Sequence, residues 1–148
     1  MTTAPLFQDD ASAALAVDQQ IAEILHGMPG GPRGLYLDSA ETAVLRAIRF
    51  HRGAANPIGI RELVTRLKIS EREVKQIVRT LRVDFRLPIG SSKSATNGGY
   101  FIIASIADQE TAIQGPLAQI RAEAEILKVL TSPARTRELL GQIQLEVE

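Results

Sequence analysis

Arg72, Gln76 and Arg79 follow one another at intervals of four and three, so on a helix they share one face. Val74, Ile77, Val78 and Leu81 fall at i, i+3, i+4 and i+7 and must form the buried stripe on the opposite side. The outer side is therefore built from hydrogen-bond donors, with Lys75, Thr80 and Arg82 flanking them. Such an array suits recognition of an acceptor-rich or anionic surface and makes no bonds of its own. No other group of residues has the spacing of a reaction centre. His26 and His51 each stand near the end of an expected helix, where an imidazole favours the negative end of the dipole, and neither has a second ligand at metal spacing. Asp9 and Asp10 are adjacent at a helix start, the position of caps more than of an acid/base couple. The run Gly90-Ser91-Ser92-Lys93-Ser94 departs from a phosphate loop, because Leu87 stands where its first glycine is required and Ser92 precedes the lysine. The absence of cysteine excludes disulfides, thiolate metal sites and thiol catalysis. No catalytic residue, metal ligand set, cofactor or small-molecule pocket is expected, and the chain is not read as an enzyme.

Charge along the chain sharpens this picture. Residues 1–38 hold one basic residue against five acidic ones, and residues 105–148 hold four against seven. Residues 39–104 hold twelve Lys and Arg against five Asp and Glu, eleven of the twelve lying between Arg46 and Arg86. The formal net charge of zero thus conceals a basic segment between acidic flanks. A polyanion is the commonest partner of such a segment, and a solvated Arg-rich helical surface is the plain alternative. Architecture has to choose between them.

The 148 residues have room for one ordinary domain with appended helices, and 45% apolar with 23% charged residues lies in the globular range. A first helix is expected from about Asp10 to His26, capped by Asp9 or Asp10 and stopped by Gly27. Gly27 to Gly34 then looks like a hinge and a domain boundary. A second helix is expected from a cap at Ser39 through Val44, Leu45, Ile48 and Phe50, ending by Gly53. Asn56-Pro57 breaks the chain before a short extended piece, Ile58 to Ile60. A short helix, Arg61 to Leu67, and a tight connection lead to Ser70, which with Glu73 has the capping-box spacing. Phe85 to Gly90 reads as a turn into an edge strand, residues 91–99 as a polar loop, and Tyr100-Phe101-Ile102-Ile103 as the strongest strand signal of the chain.

This order of elements, with the stretch IRELVTRLKISEREVKQIVRTLRVDFRLPIGS followed by NGGYFI, resembles the winged helix-turn-helix of biotin-repressor-like and related type-11 regulators. The matching positions are Ser70, Val74, Val78, Leu81 and Arg82, then Pro88-Ile89, then Gly99-Tyr100-Phe101-Ile102, and the resemblance covers about residues 39–104. It departs from the pattern in its long strand-to-strand loop, in lacking a following ligase or effector domain, and in Glu71 and Glu73 at the mouth of the reading helix. The resemblance implies a mainly α fold with a small β-hairpin, binding double-stranded DNA by sequence. On that basis Arg72 and Arg79 would offer planar forks to guanine and Gln76 would pair with adenine in the major groove. Lys75, Arg82 and Arg86, with Arg61 and Arg66 on the preceding helix, would touch phosphates, and Lys93 would reach out from the wing. The implied roles are a small transcriptional regulator or an accessory protein of replication or of a mobile element. The competing reading is a winged-helix scaffold for protein–protein interaction without DNA.

From Asp108 as an expected cap, Ile113, Leu117, Ile120, Ala124 and Leu127 step by four, three, four and three, the seam of a helix that meets another lengthwise. Gly115-Pro116 is expected to kink that helix or delay its start to about 116, and Ser132-Pro133 to open a last helix through about Leu145. Three segments follow: 1–38 as a helix and linker, 39–104 as the winged domain, and 105–148 as helices for dimerisation or packing. The seam fits the chain's own first helix or a second copy, and two-fold DNA sites favour a homodimer. The longest apolar run, Tyr100 to Ala104, is far too short for a membrane span, so a soluble cytoplasmic protein is expected.

Overall fold

Apolar periodicity becomes helix at six places in the computed structural model, which describes residues 10–93 and 98–147. The elements are α1 (Asp10–Leu25), α2 (Ser39–Ile48), α3 (Ile60–Leu67), α4 (Glu71–Val83), β1 (Ile89–Ser92), β2 (Gly99–Ile102), α5 (Ile106–Leu130) and α6 (Pro133–Val147). Among the described residues the molecule is thus mainly helical with one two-stranded antiparallel hairpin, in which Ile89 pairs with Ile102 and Ser92 with Gly99. It divides into two compact units, Met1–Ile113 and Gln114–Glu148.

In the first unit α2, α3 and α4 pack on one another. Val44, Leu45 and Ile48 of α2 meet Leu63 of α3 and Val74, Val78 and Leu81 of α4 in one buried cluster. Removing each of these side chains from water is worth about 1.5–3 kcal/mol, so the cluster fixes which face of α4 turns outward. The same core takes Val17, Ile21 and Ile24 from α1. The boundary expected over Gly27–Gly34 is therefore absent. Gly27 does stop α1 at φ +91, but the segment beyond it packs on the fold: Gly30 bridges Leu35, and Gly31, at φ +72, lies so close to Asp84 that a Cβ would stand 1.9 Å from its carbonyl oxygen. A glycine is required there by contact as well as by backbone angle.

The hairpin is buried on both faces. Ile89, Tyr100 and Ile102 face the helical core, while Phe101 and Ile103 turn the other way onto Ala54 and Ala112. The strand beyond β2 is supplied in single steps, since Ile58 bridges Tyr100 and Arg52 bridges Ile102. The first turns of α5 thereby belong to the first unit, and the limit expected at 104/105 moves to Ile113/Gln114.

Several ends differ from expectation for local reasons. The cap of α2 is Asp38, not Ser39: Glu41 N donates to Asp38 Oδ1 at 2.7 Å and Asp38 N donates to Glu41 Oε1 at 2.9 Å, a reciprocal pair that a carboxylate one residue earlier can make. Phe50 lies beyond the end of α2, 74% exposed, with the Arg49 guanidinium 4.8 Å from its ring centre. At α4 only half of the expected box forms, for Glu73 N donates to Ser70 Oγ at 3.1 Å while the Glu73 carboxylate accepts from the same hydroxyl. Ser105 caps α5 in place of Asp108, whose own N–H donates to Ser105 Oγ at 3.1 Å. Helix α5 runs on through Pro116 without the delayed start, although proline leaves one rung of its ladder unmade. Ser132 caps α6 as expected, accepting from Arg135 N at 3.1 Å. Asp9, the other expected cap of α1, and Ser94 to Asn97 of the expected loop lie outside the described residues. Among the described residues no helix is long and apolar enough to cross a membrane.

Candidate functional site

Helix α4 carries the candidate surface, because burial of Val74, Val78 and Leu81 leaves its other side to solvent. Lys68, in the left-handed region at φ 55, ends α3 and turns the chain so that α4 starts two residues after the connection. Arg72, Lys75, Gln76 and Arg79 are all exposed and, with Ser70 and Glu71, line a shallow open depression of about 680 Å³. The four donor side chains expected together are thus brought together. Arg72 and Arg79 have no ion-pair partner among the described residues. Lys75 stands 3.8 Å from Glu71, both largely exposed, a contact that contributes little.

The remaining expected cations separate into two groups. Arg61, Arg86 and Lys93 are exposed, Lys93 just beyond the end of β1. Arg86 holds φ 56, a left-handed angle uncommon for a residue with a Cβ, at the turn between α4 and the hairpin. Arg66 is exposed but engaged, with Glu62 at 2.7 Å on the preceding turn of α3. Arg82 does not belong to the surface array. Its Nε donates to the Ile89 carbonyl at 2.7 Å, and its guanidinium lies 5.8 Å from the Tyr100 ring centre. Burial lowers its pKa from the ordinary arginine value, opposed by the Tyr100 phenol. Burial likewise raises the Tyr100 pKa, with Arg82 pulling it down and the Glu71 carboxylate pushing it up.

Spacing does carry a signal for this Arg82–Tyr100 pair, since Arg82 stands four residues after Val78 and one after Leu81, close enough to the buried stripe to be drawn inward. Part of the basic balance is also used internally, since Arg52 pairs with Asp18 and ties α1 to the segment after α2. His51 serves structure in the same way: its Nδ1 lies 3.1 Å from the Asn56 carbonyl, and its own carbonyl accepts from Ile102 N at 2.7 Å. What the surface can do chemically is present two unpaired guanidinium forks, an amide and an ammonium along one helix. No family model matches the chain, and neither a curated protein nor a solved structure matches it.

Proposed function

We propose that residues 39–104 act as a winged helix-turn-helix that binds double-stranded DNA by sequence, with α3 and α4 as the two helices and the β1–β2 hairpin as the wing. The single observation carrying this reading is that Arg72, Gln76 and Arg79 stand exposed on one side of a helix whose other side is buried in the core. From Arg72 to Arg79 the axial rise is about 10 Å, the span of about three base-pair steps, which matches a helix lying in a major groove. Arg72 and Arg79 take guanine edges and Gln76 an adenine edge. Lys75, Arg61, Arg86 and Lys93 supply phosphate contacts, with Arg66 joining them at the cost of a weak surface pair. The regulatory and replication-accessory roles both follow from such binding.

Fluorescence anisotropy with mixed duplexes at two salt concentrations tests it. Affinity should fall steeply with salt, by a slope of about 0.9 per phosphate neutralised. No binding even at low salt overturns the reading. Glu71, which shares the depression with the donors, is the observation that favours the other reading, a protein-binding surface. That surface would show no affinity for duplex DNA at low salt and a weak salt response with its protein partner.

A further inference from the structure

Residues 114–148 carry an apolar face that their own two helices leave open. No residue of α5 is buried, and among the described residues none of the buried apolar core lies in this segment. Ile120 is 57% exposed and Ile143 52%. Pro116, Ile120, Ala124 and Leu127 of α5 with Leu140 and Ile143 of α6 line a groove of about 410 Å³, together with the polar side chains of Gln119 and Glu123. A unit of this size, below about 40 residues, ordinarily needs a disulfide, a metal or a second subunit to hold its fold. The chain has no cysteine, and no cluster of three or more metal-ligating side chains occurs among the described residues.

We infer that the groove is filled by the same segment of a second copy, with the two α5 helices side by side and parallel in a four-helix dimer. Charge selects both the occupant and its direction. Residues 114–148 hold four basic and five acidic side chains, a net charge of only −1, so two copies repel each other little. Leu117, Ile120, Ala124 and Leu127 form a heptad seam, flanked by Glu123 on one side and by Arg121 and Lys128 on the other. Parallel pairing sets Glu123 of each chain against Lys128 of the other, twice over. Antiparallel pairing would set Glu123 against Glu123 and Arg121 against Arg121. Lys128 is now 2.8 Å from Glu125 of its own helix, but that pair is exposed and exchanges at little cost. Val17, Ile21 and Ile24 of α1 are already committed to the core of the first unit.

Sedimentation equilibrium of the full chain, from low to high micromolar concentration, decides the matter without DNA. The expected mass is twice the 16.1 kDa of one chain. Ile120→Asp should give a monomer. Glu123→Lys and Lys128→Glu should each weaken association about tenfold, and the double variant should restore it. A monomer at every concentration, the groove then being covered by something other than a second copy, overturns the inference, as does a double variant no better than either single one. Circular dichroism confirms that each variant keeps its helices, and anisotropy with duplex DNA on the same samples scores the DNA reading separately.

Discussion

Arg82 Nε donates to the carbonyl of Ile89 across 2.7 Å, joining the last turn of α4 to the first residue of β1. The same guanidinium lies over Tyr100 of β2, so one side chain holds both strands to the helix. Two consequences separate this role from a phosphate contact. Arg82→Met should destabilise the first unit by about 1–3 kcal/mol, because a charged hydrogen bond is lost and an apolar stem of similar length is kept. It should also speed amide exchange in Tyr100 and Phe101 while leaving the salt slope of DNA binding unchanged. A slope reduced by about 0.9 would mean that Arg82 faces phosphate after all.

Arg79 and Arg86 should behave differently when each is replaced by alanine. Arg79 stands on the outer face of α4, and its loss should relax base choice at one position by about 1–3 kcal/mol. Arg86 sits in the turn after the helix, and its loss should weaken all duplexes alike. Because Arg86 holds a left-handed angle, Arg86→Gly should stabilise the turn while giving the same uniform loss of affinity. Selection of bound fragments from random DNA with each variant reads this out, and equal effects of Arg79→Ala and Arg86→Ala on sequence choice would remove α4 from the groove.

Tyr100 supplies a test on the alkaline side. Burial holds its pKa above the ordinary tyrosine value of about 10, with Arg82 opposing and Glu71 reinforcing the shift. A group whose pKa is raised by folding contributes stability that is complete below its unfolded pKa and disappears as pH rises through the folded value. The first unit should therefore lose stability above about pH 10, and Tyr100→Phe should unfold at higher pH than the parent. Ultraviolet absorbance of the phenolate in a Tyr36→Phe background follows Tyr100 alone, and titration there at or below the ordinary value would mean that the ring is solvated.

The helices were legible because their information is local. The stripe of Val74, Val78 and Leu81 fixes the outer face of α4 by arithmetic, and Ser70 marks its start. Asp38 caps α2 one residue before the expected position because Glu41 answers it, and this signal was local: Asp38 has a glutamate three residues on, whereas Ser39 has Thr42. Tertiary neighbours were not legible. Gly27 to Gly34 has the composition of a hinge, yet Gly30 and Gly31 are there for close approach to Phe85 and Asp84. Tyr100 to Ile103 held a usable signal: four consecutive apolar residues in a strand require burial on both faces, and a hairpin with one face in solvent would alternate. Read that way, the run already called for the cover that Ala54 and Ala112 provide.

Asp108 secures that cover. Its Oδ1 accepts from Ala54 N at 2.9 Å and its Oδ2 from Ala104 N at 3.0 Å, so one carboxylate pins the start of α5 to the segment after α2 and to the chain leaving β2. Both donors are part-buried, and Asp108→Ala leaves them without a partner. Hydrogen bonds to a charged group contribute about 1.5–3 kcal/mol each, so the loss should reach about 3 kcal/mol and lower the melting temperature by about 10 °C. Asp108→Asn keeps one acceptor and turns an amide toward the other N–H, so its melting temperature should fall between the two. Exposure of Phe101 and Ile103 should accompany the change and appear as dye binding in the alanine variant before global unfolding. Thermal melts of the three proteins check the order, and an alanine variant as stable as the parent would show that α5 covers the hairpin without this carboxylate.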